Sequence, residues 1–262
     1  MKSELTATLM GTGTSHGVPM LGCDCDVCCS ENPKNKRTRT SLLLRNRELT
    51  YVIDTPPDLR QQLLQEKVKR VDAVLYTHAH ADHIYGMDDL RAYGHFQDAA
   101  IPLFCEANVA KVLRESFPYA FAEVPAGTHE GWRPRVKLET IVPGPVEIPG
   151  LRVDAIRLKH GGLETLGYRV GSFAFCTDVN RIPEESFAHL ENLDDFVIDA
   201  LRHEPHPTHF SVAEALDVVA KVKPKRAWLT HISHVLEHEE TEESLPPHVR
   251  VAYDGLTIPI RV

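Results

Sequence analysis

The stretch THAHADH, residues 77–83, decides how this chain is interpreted. It follows the apolar run AVLY and places three histidines and one aspartate within six residues. In an extended segment side chains repeat every two residues, so His78 and His80 point the same way and can reach one cation. Asp82 and His83 enter the following turn and can hold a second cation. Because imidazole and carboxylate suit zinc, iron or manganese, the spacing predicts a hydrolase with two metal ions.

Two such ions need more ligands than this motif supplies. Polar residues that end later apolar runs offer them: His160 in RLKHGG, Asp178 in FCTD and His231 in WLTH. The alternative is a group of surface histidines without a shared role. A His-x-His-x-Asp-His pattern directly after a β run rarely arises by chance, so we favour the metal site.

These residues together resemble the metallo-β-lactamase superfamily along nearly the whole chain. The resemblance implies that family's α/β fold, a four-layer αββα sandwich. It also implies two divalent ions, manganese or zinc, that generate a metal-bridged hydroxide near neutral pH. Asp54, which ends YVID, matches an early aspartate that supports a ligating histidine in that family, although a plain turn aspartate is the alternative. The implied ligands are His78, His80 and His160 for one metal, Asp82, His83 and His231 for the other, and Asp178 as the bridge, with Asp82 also assigned to catalysis.

Four of the six cysteines lie within CDCDVCC, residues 23–29. In a reducing cytoplasm such clusters are more often metal ligands or redox groups than disulfides. With the opening GTGTSHGVP and the later LTHISH and DGL, they resemble the PhnP type of the superfamily, the phosphoribosyl cyclic phosphodiesterases related to ribonuclease Z. The resemblance implies one structural zinc, bound by Cys23, Cys25, Cys28 and His234. Cys29 could replace Cys28 as a ligand of this zinc. The alternative is that the cysteines are reduced surface thiols that bind no metal.

The metal core does not choose the reaction, because related cores hydrolyse thioesters, lactones, β-lactams and phosphodiesters. His209, just before a capped helix, matches an extra non-ligand histidine of phosphodiesterases of the PhnP and ribonuclease Z kind. A protonated imidazole there stabilises phosphorane charge or protonates a leaving alkoxide. We therefore expect a phosphodiesterase for a small cyclic or nucleotide-like phosphodiester, and interpret nearby His206 as a loop histidine. A thioester or lactone hydrolase and a PqqB-like metal-binding accessory protein remain alternatives.

Composition limits the partners and the domain count. With 262 residues, 42% hydrophobic content and no Pro/Gly/Ser-rich linker, residues 1–262 are interpreted as a single domain. A net charge of -8 argues against folded nucleic acid as a partner, and the basic run NPKNKRTR is interpreted as a solvated loop. No apolar run approaches the roughly 20 residues of a membrane span, so we expect a cytoplasmic protein without a membrane partner. Relatives suggest a homodimer.

Periodicity predicts strands alternating with helices, in two sheets with helices packed outside. Pro57 opens one helix, with Leu59, Leu63, Leu64 and Val68 on one face. Ser211 and Glu214 form a capping box that begins another helix, and Pro224 ends it.

Two segments after the metal motif have open interpretations. GMDDLRAYGHF is a solvated helix or part of the substrate mouth, and the aromatic residues of KVLRESFPYAFAE, within a predicted flap at 109–124, cover the site or pack in a core.

Overall fold

A computed structural model describes residues 5–123, 127 and 133–262, and its strands form two seven-stranded sheets. The first sheet has the order β14-β1-β2-β3-β4-β5-β6 and the second the order β13-β12-β11-β10-β9-β8-β7. The first comprises β1 Leu5–Gly11, β2 Ser41–Arg45, β3 Thr50–Ile53, β4 Ala73–Leu75, β5 Ile101–Cys105, β6 Val136–Thr140 and β14 Leu256–Ile260. The second comprises β7 Gly144–Ile148, β8 Leu151–His160, β9 Leu163–Val170, β10 Phe173–Cys176, β11 Asp195–Asp199, β12 Arg226–Thr230 and β13 Val249–Val251.

The helices of the described residues are short. None of them is both long enough and apolar enough to cross a bilayer. They are α1 Asp26–Cys29, α2 Leu59–Gln65, α3 Ala81–Ile84, α4 Arg91–Phe96, α5 Ala107–Ser116, α6 Pro118–Phe121, α7 Val212–Val222 and α8 His238–Glu243, with 3-10 turns at Pro33–Asn35, Met87–Leu90 and Glu184–Leu190.

Each sheet is mixed, and its parallel half carries most of the functional residues, with His160 on the antiparallel strand β8 as the exception. Strands β3 to β6 run parallel in the first sheet, and β10 to β13 run parallel in the second. The other pairings, including the hairpins β7-β8 and β8-β9, are antiparallel. Carboxyl ends of parallel strands meet at one edge of a sheet, so polar residues that follow β4, β10, β11 and β12 are brought together.

Three apolar cores explain the layering. In β2, Leu42 and Leu44 point into a core shared with the second sheet, whereas Leu43 points into a core shared with α2 and α5. A third core lies between the second sheet and α7. Because both faces of the inner part of each sheet are buried, the strands β2, β3, β4 and β10 are continuous apolar runs, whereas the outer strands β7, β13 and β14 alternate. The predicted four-layer αββα sandwich is confirmed.

The predicted capping box of α7 is confirmed, whereas the predicted buried face of α2 is correct only in part. Helix α7 begins after Ser211, whose hydroxyl accepts from the Glu214 amide at 3.3 Å while the Glu214 carboxylate accepts from the Ser211 amide at 2.8 Å. In α2, however, Leu64 is 61% exposed. Residue 64 lies about 100° around the helix from Leu63, which removes it from the buried face. The C-terminal stretch VRVAYDGLTIPIRV, residues 249–262, contains both β13 and β14, which belong to different sheets.

Candidate metal centre

All seven predicted metal ligands converge at this strand edge. His78 and His80 follow β4, Asp82 and His83 lie in α3, His160 ends β8, and Asp178 and His231 follow β10 and β12. Their donor atoms form two groups, each with all members within 4.8 Å of one another. The groups are His78, His80, His160 and Asp178, and Asp82, His83, Asp178 and His231. Asp178 is shared, which is the division that the family resemblance implies.

The donor atoms of this cluster fit divalent cations. Within the described chain, Nε2 of His78, Nε2 of His83 and both ring nitrogens of His231 are buried without a hydrogen-bond partner. Nε2 of His231 lies 3.3 Å from Oδ1 of Asp178, and Nε2 of His83 lies 3.2 Å from its Oδ2. Buried polar atoms without a partner cost about 1–3 kcal/mol each. A nitrogen and oxygen donor set suited to zinc, manganese or iron explains why they are tolerated.

Asp54 orients histidines of both groups. Its fully buried carboxylate accepts hydrogen bonds from Nδ1 of His83 at 2.7 Å and from the amide and hydroxyl of Thr77, each at 2.8 Å. The Thr77 hydroxyl oxygen lies 2.9 Å from Nδ1 of His78 and is left to accept its proton. Such partners fix the imidazole rings and leave Nε2 to face a metal. The sequence indicated the contact with one histidine, and the structure adds a second through Thr77.

The backbone at the site adopts conformations that are rare outside glycine. Asp54, Asp178 and His231 have φ values of 63°, 50° and 60°. Each residue stands where a strand has just ended and the chain turns. Left-handed conformations of this kind cluster at functional sites because the surrounding structure holds them in place.

The surroundings of Asp178, His78 and His231 favour metal-binding protonation states, whereas those of His83 favour the protonated imidazole in the absence of a metal. Burial alone would favour a neutral Asp178, but the imidazoles of His231 and His83 hold its pKa well below the usual range. Burial lowers the pKa of His78 and of His231. The pKa of His83 is instead raised, because the carboxylates of Asp178 and Asp54 outweigh its burial. Ionised carboxylates and neutral imidazoles are the forms that bind metal ions.

His209 lies against both groups and is paired with a carboxylate. Its Nδ1 donates to Oδ2 of Asp199 at 2.7 Å, and its ring centroid lies 4.5 Å from that of His231 and 4.6 Å from that of His160. Although burial lowers the pKa of His209, the charge of Asp199 and its hydrogen bond raise it to about 8. The sequence indicated His209 but missed Asp199. Asp199 ends the apolar strand β11, as Asp54 directly follows β3, so the same signal could have found it.

The cysteine cluster forms a separate group. The Sγ atoms of Cys23, Cys25 and Cys28 and the His234 imidazole lie within 4.8 Å of one another. The Sγ atoms of Cys23 and Cys25 lie 3.3 Å and 3.4 Å from Nδ1 of His234, and the contact with His234 lowers the pKa of Cys25 to about 6. Cys29 is exposed and lies outside the group. Cys28 is therefore the cysteine whose position suits the predicted tetrahedral zinc.

Comparison with known proteins identifies the family of this chain. The family model described as the β-lactamase superfamily domain matches residues 50–232. The chain belongs to this superfamily. A solved structure described as a new diphosphatase from the PhnP family is 39% identical, with a TM-score of 0.91 and coverage of 98% of this chain and 97% of that one. The predicted resemblance to the PhnP type is thereby confirmed. Zinc-bound PqqB from Methylobacterium extorquens, at 19% identity and a TM-score of 0.80 over 97% of this chain and 99% of that one, shows the fold alone.

Two of the curated relatives carry different names. An octanoyltransferase of Porphyromonas gingivalis is 40% identical over 95% of this chain and 50% of the relative. A ribonuclease Z of Listeria monocytogenes is 25% identical over 62% of this chain and 48% of the relative. The present chain thus spans about half the length of these curated relatives. Superfamily membership and the PhnP-family likeness support a metal-dependent hydrolase.

The basic run NPKNKRTR is only in part the solvated loop that the sequence predicted, because Lys36 is exposed whereas Arg37 is buried. Arg37 is 3% exposed. Its guanidinium donates to the Thr12 hydroxyl at 2.8 Å, to the Ala252 carbonyl at 2.5 Å and to Nδ1 of His238 at 3.1 Å. Lys36 donates to the carbonyl of Cys28 at 3.0 Å. Arg37 and Lys36 therefore have a structural role, because they donate to protein oxygens and to a ring nitrogen.

Proposed function

We propose that this chain hydrolyses a small phosphodiester, cyclic or nucleotide-like, with two divalent metal ions. The observation that carries the proposal is the Asp199–His209 pair, which lies against both predicted metal groups. A diphosphate bond is a second candidate substrate, because the structure at 39% identity is described as a diphosphatase. The net charge of -8 favours a small substrate over folded nucleic acid. A cytoplasmic location and a homodimer remain part of the proposal.

In the proposed reaction most of the site residues bind or orient metal ligands. His78, His80 and His160 would hold one ion, and Asp82, His83 and His231 the other, with Asp178 common to both. Such ions, manganese or zinc, supply Lewis-acid polarisation of the phosphoryl group and an activated water. Asp54 and Thr77 keep the histidines in orientation. Cys23, Cys25, Cys28 and His234 would hold a structural zinc, and four ligands leave no position there for a substrate.

His209 supplies what the metal ligands cannot. Asp199 accepts the Nδ1 proton and stabilises the imidazolium, so Nε2 carries a proton of its own. Within the described chain, no hydrogen bond to a protein atom occupies this Nε2. It can therefore donate to a phosphoryl oxygen or protonate the leaving alkoxide. An unprotonated alkoxide is a poor leaving group, and this is why an alkyl phosphodiester is difficult to cleave without an acid.

Other reactions of the fold are less well supported. Thioester and lactone hydrolysis share the metal groups but do not need an acid such as His209. A PqqB-like accessory protein needs neither that acid nor its buried carboxylate. The name octanoyltransferase describes a relative about twice as long as this chain, so octanoyl thioesters belong in the substrate panel.

The test is hydrolysis by protein stripped of metal and reloaded with manganese or zinc. We expect metal-dependent turnover of bis(p-nitrophenyl) phosphate and of nucleoside 2′,3′-cyclic phosphates. His209→Ala should lower turnover of the cyclic substrate by about 10²–10⁴-fold and that of the aryl diester by less, because a nitrophenolate leaves without a proton. Metal content should not change, and His206→Ala serves as the matched control. Turnover of thioesters or lactones without phosphodiester turnover would overturn the proposal.

A further inference from the structure

The helix that carries Asp82 also carries an exposed aromatic ring. Tyr85 caps α3 in a helical conformation, three residues after Asp82. Residues three apart lie on the same face of a helix, about one turn apart. The Asp82 carboxylate belongs to the second metal group, with Oδ2 3.5 Å from Nε2 of His83. The face that turns Asp82 toward the metal group therefore continues outward to Tyr85.

Two further rings join Tyr85 in what we name the aromatic platform, formed by Tyr85, Phe117 and Tyr119. The Phe117 ring packs edge-to-face against Tyr85, with centroids 6.0 Å apart at 89°, and against Tyr119, 6.5 Å apart at 74°. Phe117 is 9% exposed, whereas Tyr85 and Tyr119 are 55% and 44% exposed. A buried ring thus anchors two open ones, because edge-to-face pairs hold aromatic side chains in defined positions.

Polar contacts fix the outer end of the platform. The Tyr119 hydroxyl donates to one oxygen of Asp88, and Arg91 donates to the other. Both carboxylate oxygens of Asp88 are therefore occupied, and its charge is paired with a guanidinium. An anionic ligand that reaches from the metal groups meets no unpaired carboxylate from Asp88.

We propose that the aromatic platform binds the base of a nucleotide whose phosphate lies at the metal groups. The inference rests on the proposed function, since it needs a phosphate site at the metals. Exposed aromatic rings in fixed positions are the surfaces on which nucleobases stack. The platform begins about one helical turn from a metal ligand, a separation that a sugar can bridge. It therefore distinguishes nucleotides from sugar phosphates that lack a base.

The test compares AMP with ribose 5-phosphate, which differ only in the base. Both are titrated calorimetrically into the metal-loaded protein. AMP should bind more tightly, and Tyr85→Ala or Tyr119→Ala should weaken AMP binding by roughly 5- to 150-fold, because stacking on one aromatic ring contributes about 1–3 kcal/mol. Ribose 5-phosphate affinity should change much less. Tyr85→Phe keeps the ring and should keep the preference, and Phe96→Ala removes an exposed ring outside the platform as a control.

Each outcome decides the inference. Equal affinities for the two ligands, no binding of AMP, or an AMP preference that survives both alanine variants would overturn it. Because binding is measured without turnover, the result is separate from the proposed function. A protein that prefers AMP but hydrolyses no phosphodiester would keep the platform and lose the proposed reaction. A phosphodiesterase with no preference for AMP would show the reverse.

Discussion

Nδ1 of His209 donates a hydrogen bond of 2.7 Å to Oδ2 of Asp199, a carboxylate that is fully buried at the end of β11. The same oxygen accepts from the Val179 amide at 2.9 Å, so its position is fixed from two sides. Val179 directly follows Asp178, the residue common to both metal groups. The pair therefore couples the orientation of His209 to the loop that carries the shared carboxylate.

Replacing Asp199 with Asn removes the charge that holds His209 protonated while keeping the shape. Turnover of an alkyl phosphodiester should fall by about ten- to a hundredfold or more, mainly in kcat, because the acid is weakened. Metal content should stay the same. Asp195→Asn, in a buried carboxylate at the other end of the same strand, is the control. Loss of bound metal in Asp199→Asn would instead make Asp199 a metal ligand.

Asp54→Asn should weaken metal binding rather than catalysis by bound metal. The carboxylate orients His83 directly and His78 through Thr77, and loss of such a partner typically costs 10- to 100-fold in affinity. Competition with a chelator measures the change. Asp72→Asn removes a largely buried carboxylate on the far end of the neighbouring strand and should leave metal affinity unaltered. Unchanged affinity in Asp54→Asn would show that the hydrogen bonds serve the fold alone.

The cysteine cluster gives a prediction with an internal control. Cys25→Ser should lower the zinc content by one ion per chain. It should also lower Tm by about 5 °C or more, since each kcal/mol lost shifts Tm by about 2–4 °C at this size. Cys29→Ser, four residues away and exposed, should change neither quantity. Equal zinc content in the two variants contradicts a zinc at this cluster.

His238 makes stability depend on pH. Burial, and then the charges of Arg37 and Lys34, lower its pKa from 6.5 to about 4 against the opposing carboxylates of Glu242 and Glu237. Between these values the unfolded chain binds a proton that the folded chain does not, so His238 reduces stability as pH falls below 6.5.

His238→Asn keeps an acceptor for Arg37 and removes the titration. The stability advantage of the wild type over His238→Asn should therefore shrink by about 2 kcal/mol between pH 7.5 and pH 5. Urea unfolding of both proteins at the two pH values measures this difference. A constant difference would mean that the pKa of His238 is the same in the folded and the unfolded chain.

The sequence was sufficient for the fold and for the metal groups because their signals are local. Each predicted ligand either belongs to the THAHADH motif or stands at or just after the end of an apolar strand. Parallel strands bring most of these ends together, whereas His160 ends the antiparallel strand β8. The capping box of α7 is equally local. These features need no knowledge of which distant segment packs where.

The remainder depends on distant partners. Arg37 belongs to a basic run, yet it is buried because Ala252 and His238, more than 200 residues later, accept its protons. Asp199 resembles many aspartates at strand ends until its contact with His209 is seen. The flap predicted at 109–124 contains Phe117 and Tyr119 of the aromatic platform but not Tyr85, and position 124 lies outside the described residues. Residue type alone does not reveal these contacts, because tertiary packing creates them.

Strand β14 pairs with β1 in register from Leu5 opposite Ile260 to Leu9 opposite Leu256. The strand before it, β13, completes the other sheet, so the chain crosses the sandwich within residues 252–255. Pairing β1 with β14 closes a loop that contains almost the whole chain. The entropic cost of closing this loop must be met before the pairing compensates for it. We therefore expect the first sheet to gain its outer strand late in folding, with β1 as an unpaired apolar edge until β14 arrives.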